Sequence, residues 1–84
     1  WNYPVFLNLG QIIPAVVAGN AVLWKPSENV PRTADLTAAL FRDAGFPVGL
    51  LQVLPGTREA GPQLAETDID HLVFTGSDMV GRKL

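Results

Sequence analysis

Gly19-Asn20-Ala21-Val22-Leu23-Trp24-Lys25-Pro26-Ser27-Glu28 sets the architecture of this chain. Ala21 to Trp24 is a short, unbroken apolar run of the kind found in strands covered on both faces. Gly19 and Asn20, just before it, tolerate the left-handed backbone that ends a helix. Upstream, Val5, Phe6, Leu9, Ile12, Ile13, Val16 and Val17 recur at helical spacing and predict a buried helix. Pro14 is expected to kink or split that helix, because proline brings no backbone N–H. Downstream, Pro31 suits the first position of a second helix, although Val30 is a poor cap. Leu36, Ala39, Leu40 and Ala44 form its expected inward stripe, and Gly45 and Pro47 stop it. Leu50 to Leu54 reads as a second strand. Pro55-Gly56-Thr57 turns into a third helix ending near Thr67, in which Pro62 is tolerable only within the first turn. His71-Leu72-Val73-Phe74 reads as a third strand, and Gly76-Ser77 opens a last helix that the chain end truncates. Strands alternating with helices require crossovers, so the expected class is α/β with parallel pairing and right-handed connections.

At 84 residues and 9.0 kDa the chain has room for at most one small domain. It is 48% hydrophobic and only 17% charged, an apolar balance that predicts surfaces meant for burial. A net charge of −2 and a pI near 5.0 give no footprint for nucleic acid or an anionic membrane. With no cysteine, the chain has no disulfide framework, thiolate metal site or cysteine nucleophile. Pro4 to Trp24 is long and apolar enough to suggest a membrane span, but Asn8, Gln11, Pro14 and Gly19-Asn20 interrupt it and Lys25 follows at once. A buried helix followed by a strand is the better reading. Trp1 at the start and an unfinished helix at Leu84 give both ends the look of cuts, and a missing N-terminus would hide any signal peptide.

Three places carry chemistry. Phe74-Thr75-Gly76-Ser77-Asp78-Met79-Val80-Gly81 takes a strand through a Gly-Ser turn into a helix, where free N–H groups and the helix dipole favour a phosphate and Ser77 can cap the helix or donate to a phosphate oxygen. An ordinary capped helix is the plain alternative. Lys25-Pro26-Ser27-Glu28 follows the first strand, where ligands of open α/β sheets sit; an acid there can accept from ribose hydroxyls and a lysine can hold the sugar or a phosphate. A solvated charged turn is its plain alternative. In Trp1-Asn2-Tyr3-Pro4 an asparagine amide in a stiff aromatic turn could face a developing oxyanion, although asparagine is common in turns for conformational reasons alone. His71 has no second histidine with which to build a metal site and reads as structural or surface. Asp68 and Asp70 read as solvated acids, Arg82 and Lys83 as an exposed helix face, and Trp24 and Phe41 as packing.

Taken in order, these segments resemble the aldehyde dehydrogenase superfamily over essentially the whole chain. The succession runs through Trp1-Asn2-Tyr3-Pro4, Pro14-Ala15, Ala18-Gly19-Asn20, Lys25-Pro26-Ser27-Glu28, Ala44-Gly45-Phe46-Pro47 with Gly49, Leu54-Pro55-Gly56 and Phe74-Thr75-Gly76-Ser77. The resemblance implies a three-layer, Rossmann-like parallel sheet with flanking helices, incomplete here, so that residues 1–84 form a partial dinucleotide-binding domain. Asn2 matches the asparagine that helps stabilise the oxyanion of a thiohemiacetal. Lys25 and Glu28 match residues that hold the adenosine ribose, with Ser27 between them. Ser77 matches the serine at the pyrophosphate, in a turn begun by Gly76, and Gly61 and Val80 match positions lining the adenine pocket.

The family reaction oxidises an aldehyde to an acid through cysteine attack, hydride transfer to the nicotinamide and hydrolysis by a glutamate-activated water. The cysteine and that glutamate match no residue of this chain, so the chain alone is expected to be inactive and to need the rest of a parent chain. Only Thr57-Arg58-Glu59-Ala60 separate Gly56 from Gly61, a shorter loop than many members have, which puts the adenine-side contacts in doubt. A carboxylate at Glu28 repels a 2′-phosphate and pairs with free ribose hydroxyls, so NAD is the expected cofactor. Lys25 and Ser27 leave NADP open. The resemblance further implies an aldehyde substrate, a cytoplasmic location and a homo-oligomeric parent. The competing reading is a noncatalytic nucleotide-binding or structural module on the same scaffold, and a relative that releases an acyl-CoA also stays open. Poor solubility is expected of the chain in isolation, since uncovered apolar faces and sheet edges associate.

Overall fold

The computed structural model describes residues 3–54 and 56–84; Trp1, Asn2 and Pro55 lie outside the described residues. Helix α1 spans Phe6–Val17 and strand β1 spans Val22–Trp24. Helix α2 spans Pro31–Asp43 and strand β2 spans Leu51–Val53. Two short helices follow, α3 at Ala60–Ala65 and α4 at Asp78–Gly81. Pro14 does not split α1, which is continuous from Phe6 to Val17 with the proline inside it. The lost bond is the one Gly10 would have accepted, while Ile12 and Val16 on either side of Pro14 hold both halves of the helix against one core.

Both long helices end in the same way. After α1, Gly19 takes φ +93°, Asn20 N–H donates to the Ala15 carbonyl at 3.0 Å and Gly19 N–H to that of Val16 at 3.0 Å. After α2, Gly45 takes φ +90°, Phe46 N–H reaches the Phe41 carbonyl at 3.2 Å and Gly45 N–H that of Arg42 at 3.1 Å. This is the Schellman arrangement, which satisfies the last carbonyls of a helix and needs a residue free of the Cβ penalty at the left-handed position. In α2 the usual apolar contact across the motif is aromatic, with the Phe41 and Phe46 rings 5.1 Å apart.

Strands β1 and β2 pair in parallel, with Val22 opposite Leu51, Leu23 opposite Gln52 and Trp24 opposite Val53. Val22 N–H to the Leu50 carbonyl and Leu54 N–H to the Trp24 carbonyl, both 2.8 Å, extend the ladder at each end. α1 packs on β1 and α2 on β2. Ile12, Trp24 and Ala34 form the buried centre, ringed by Val16, Val22, Phe41, Leu51 and Val53. Burying a side chain such as Ile12 contributes roughly 1.5–3 kcal/mol. The indole N–H of Trp24 finds no partner among the described residues, which offsets about 1–3 kcal/mol of its own burial.

Residues alternate faces along a strand, so Val22, Trp24, Leu51 and Val53 share the face that both helices cover. Leu23 and Gln52 point the other way and are exposed. The strand predicted to be covered on both faces is covered on one, and the described residues build two layers. The inward stripe of α2 is also corrected. Ala34 and Thr37 are its buried residues and Phe41 joins the core, while Leu36 and Leu40 are about 60% exposed. Small residues win that position because they let the helix approach the sheet closely. Thr37 tolerates burial because its hydroxyl donates to the Thr33 carbonyl at 2.8 Å.

His71–Phe74 is not a strand among the described residues; the sheet holds β1 and β2 only. Leu72, Val73 and Phe74 stay 42–53% exposed. An apolar run becomes a strand only where an edge accepts its hydrogen bonds, and in this chain the run meets neither edge of the β1–β2 pair. The class is α/β with a two-stranded parallel sheet and helices.

Candidate functional site

Parallel pairing delivers the carboxyl ends of both strands to one edge of the sheet, so the loops after Trp24 and Val53 meet there. The first turns at Ser27, whose hydroxyl accepts from Asn29 N–H at 3.2 Å and whose carbonyl accepts from Val30 N–H at 3.2 Å. Pro26 is buried and stiffens the turn. The second loop presses close to it. A Cβ on Gly56 would lie 3.3 Å from the Glu28 Cα and 3.5 Å from the Ser27 carbonyl oxygen, so a larger residue there would push the two loops apart. Between them opens a cleft of about 310 Å³, lined by Pro26, Pro31, Ala34, Asp35, Val53, Leu54 and Gly56.

Glu28 stands at this seam with a cation on each oxygen. Lys25 Nζ is 3.5 Å from Oε2 and Arg58 Nε is 3.6 Å from Oε1. A backbone hydrogen bond at Glu28, then the Lys25 ammonium, hold this carboxyl below its ordinary value of 4.5 against the opposing effect of burial, with Arg58 the weakest contributor. Lys25 and Glu28 are thus brought together as the sequence suggested, with Ser27 shaping the turn between them. Arg58 is the addition. The sequence marks its loop only as a shortened one, and the parallel pairing of β1 with β2 brings that loop to the edge where Glu28 lies.

The Gly76-Ser77 turn forms as an ordinary cap. Ser77 Oγ accepts from Val80 N–H at 3.3 Å at the start of α4, and Asp78 in that first turn pairs with Arg82 at 2.7 Å. The Phe74 ring lies over Gly76, where a Cβ would come within 2.5 Å of it, so glycine is required for the ring to sit there. α3 and α4 pack on none of the other elements. Among the described residues, no hydrogen bond or ion pair ties Gly61, Val80 or Ser77 to Lys25 or Glu28. Asn2 lies outside the described residues, and its neighbour Tyr3 has φ 53°. His71, Asp68 and Asp70 are exposed, and the described residues hold no metal-ligating cluster. No helix among the described residues is long and apolar enough to cross a membrane.

A family model described as "Aldehyde dehydrogenase family" matches residues 1–84. The chain belongs to the aldehyde dehydrogenase family. It is 50% identical over 82 residues to the N-succinylglutamate 5-semialdehyde dehydrogenase of Chromohalobacter salexigens, an alignment that covers 96% of this chain and 17% of that one. To the enzymes of the same name from Pseudomonas fluorescens and Serratia proteamaculans it is 48% identical over 85 residues, covering 100% of this chain and 17% of each relative. The chain thus spans about 17% of the length of these curated relatives. No solved structure matched. Among the described residues, Lys25, Glu28 and Arg58 are three charged side chains that meet at one place.

Proposed function

We propose that these residues hold the adenosine end of NAD in an aldehyde dehydrogenase, with Lys25 and Glu28 as the ribose site. The observation that carries this reading is an ionised carboxylate at the carboxyl edge of a parallel sheet, beside a cleft large enough for part of a nucleoside. The donor set fits such a ligand. Each Glu28 oxygen keeps lone pairs for ribose hydroxyls while a cation fixes its position, and Pro26, Val53 and Leu54 supply an apolar wall. Lys25 donates to the same sugar. When bound, the cofactor supplies the hydride acceptor.

The remaining assignments rest on the family. Ser77 and Gly76 are placed at the pyrophosphate, Gly61 and Val80 at the adenine pocket, and Asn2 as a donor to the substrate oxyanion. The same reading extends the β1–β2 pair into a three-layer, Rossmann-like domain, with the uncovered Leu23 and the exposed Leu36 and Leu40 as contacts for further layers. The reaction is oxidation of an aldehyde to an acid, on a cysteine that these residues do not include. The relatives' name points to a semialdehyde of an acylated amino acid as the substrate, and a homo-oligomer in the cytoplasm is the assembly expected of the whole protein.

Glu28→Gln in the full-length protein tests the site. It removes a charged acceptor that pairs with the ribose diol, so the Kd for NAD should rise about tenfold while kcat at saturation holds. An unchanged Kd sinks the assignment. Asn2→Ala should show the opposite split, slowing the chemical step with cofactor affinity kept.

A further inference from the structure

Arg58 has no place in the set of site residues that the family resemblance supplies, yet its guanidinium ends beside the carboxylate on which the proposed ribose site depends. We propose that Arg58 sets this protein's discrimination at the ribose 2′ position, by offering a 2′-phosphate a guanidinium to pair with. The proposal rests on reading Lys25 and Glu28 as the ribose site.

Three observations carry it. First, Lys25 and Arg58 contribute two positive charges at Glu28 and Glu28 one negative, so the cluster is formally +1 and does not simply repel an anion. Second, Arg58 approaches Glu28 through Nε, and its side chain is 88% exposed, so most of the guanidinium stays in solvent. A guanidinium engaged along one edge retains donors in the planar fork that suits phosphate oxygens. Third, the location is fixed by backbone. Gly56 packs close against the turn that carries the carboxylate, where an added Cβ would lie a tight 3.3 Å from the Glu28 Cα, so the segment two residues before Arg58 runs beside that turn. A phosphate on the hydroxyl next to Glu28 therefore meets repulsion from one side and a guanidinium from the other. Removing Arg58 leaves only the repulsion and Lys25, and selectivity moves toward the unphosphorylated ribose.

The test uses the full-length protein and two probes, adenosine 5′-monophosphate and adenosine 2′,5′-bisphosphate, titrated calorimetrically. Arg58→Ala should weaken the bisphosphate about three- to tenfold, an exposed charge–phosphate contact being worth that much after solvent screening, and leave the monophosphate within about twofold. Arg58→Lys should fall between, since a point charge keeps attraction without the fork. The NADP to NAD ratio of kcat/KM should fall in step. The proposal is overturned if Arg58→Ala leaves bisphosphate affinity unchanged or weakens both probes equally, the second result marking a mere brace for Glu28. It is overturned too if the wild-type protein binds the monophosphate and not the bisphosphate. Failure of the ribose reading itself looks different: Lys25→Ala and Glu28→Gln would then alter neither probe.

Discussion

Glu28 shows how much of a site one residue can concentrate. Its carboxyl titrates below the ordinary 4.5 because the charged form is hydrogen-bonded and flanked by Lys25 and Arg58. A lowered folded-state value means that ionised Glu28 favours the folded chain above pH 4.5, and that this contribution is lost as the pH falls through the lowered value. Cofactor affinity should follow the same carboxylate and stay level from neutrality down to about 4.5. Carbon-13 titration of the Glu28 carboxyl checks this, and a midpoint at or above 4.5 contradicts it. Lys25→Ala should raise the midpoint more than Arg58→Ala does, since Lys25 is the larger influence. Lys25 and Glu28 were legible in the sequence because both follow one strand at short spacing. Arg58 was not, because its partner lies 30 positions away and they meet only once two strands have paired in register.

Helix ends were the most legible elements and helix faces the least. Gly19 and Gly45 announce left-handed termination by residue type alone, and both take it. The face of α2 was misjudged because leucines outrank alanine and threonine in hydrophobicity, whereas the sheet selects residues small enough to let the helix come near. His71–Phe74 has a strand's composition, but pairing is a property of its neighbours and no local signal reports it. Gly45→Ala should destabilise the full-length protein by about 1 kcal/mol or more, since φ +90° strains any residue with a Cβ. Val48→Ala, at a position 98% exposed, serves as the control and should stay within about 0.5 kcal/mol. Equal urea midpoints for the two variants would remove the Schellman cap from the account of α2. By hydrogen exchange, amides of Leu72 to Phe74 in the 84-residue chain should exchange far faster than those of Val22 and Leu54, which donate within the ladder. Comparable protection would show that the third run does pair.

At the scale of the molecule, apolar exposure dominates. Phe6, Val17, Leu36, Leu40, Met79 and Leu84 are each more than half exposed, and a second cleft lined only by Ile13, Val16, Val17, Phe41 and Phe46 lies open beside the core. Surfaces of this kind drive association of a chain in water. The 84 residues expressed alone should therefore sediment as concentration-dependent oligomers at micromolar levels, and a monodisperse monomer would show that the uncovered faces are tolerated. The composition already pointed this way, but which face of the sheet stays bare could be read only from the placement of α1 and α2 together on the other.

That one-sided sheet also has a calorimetric consequence. Heat capacity rises on unfolding in proportion to the apolar surface newly wetted, ordinarily about 12–15 cal/mol/K per residue. With Leu23, Leu36 and Leu40 already 40–61% exposed and only Ile12, Trp24, Pro26 and Ala34 buried as apolar residues among those described, little new surface remains to be wetted. Scanning calorimetry of the isolated chain, at dilutions where it is monomeric, should give an increment well below that range, and urea should act on it with a correspondingly shallow slope. Its melting would spread over tens of degrees, as in a molecule that loses its order by degrees instead of at a single temperature.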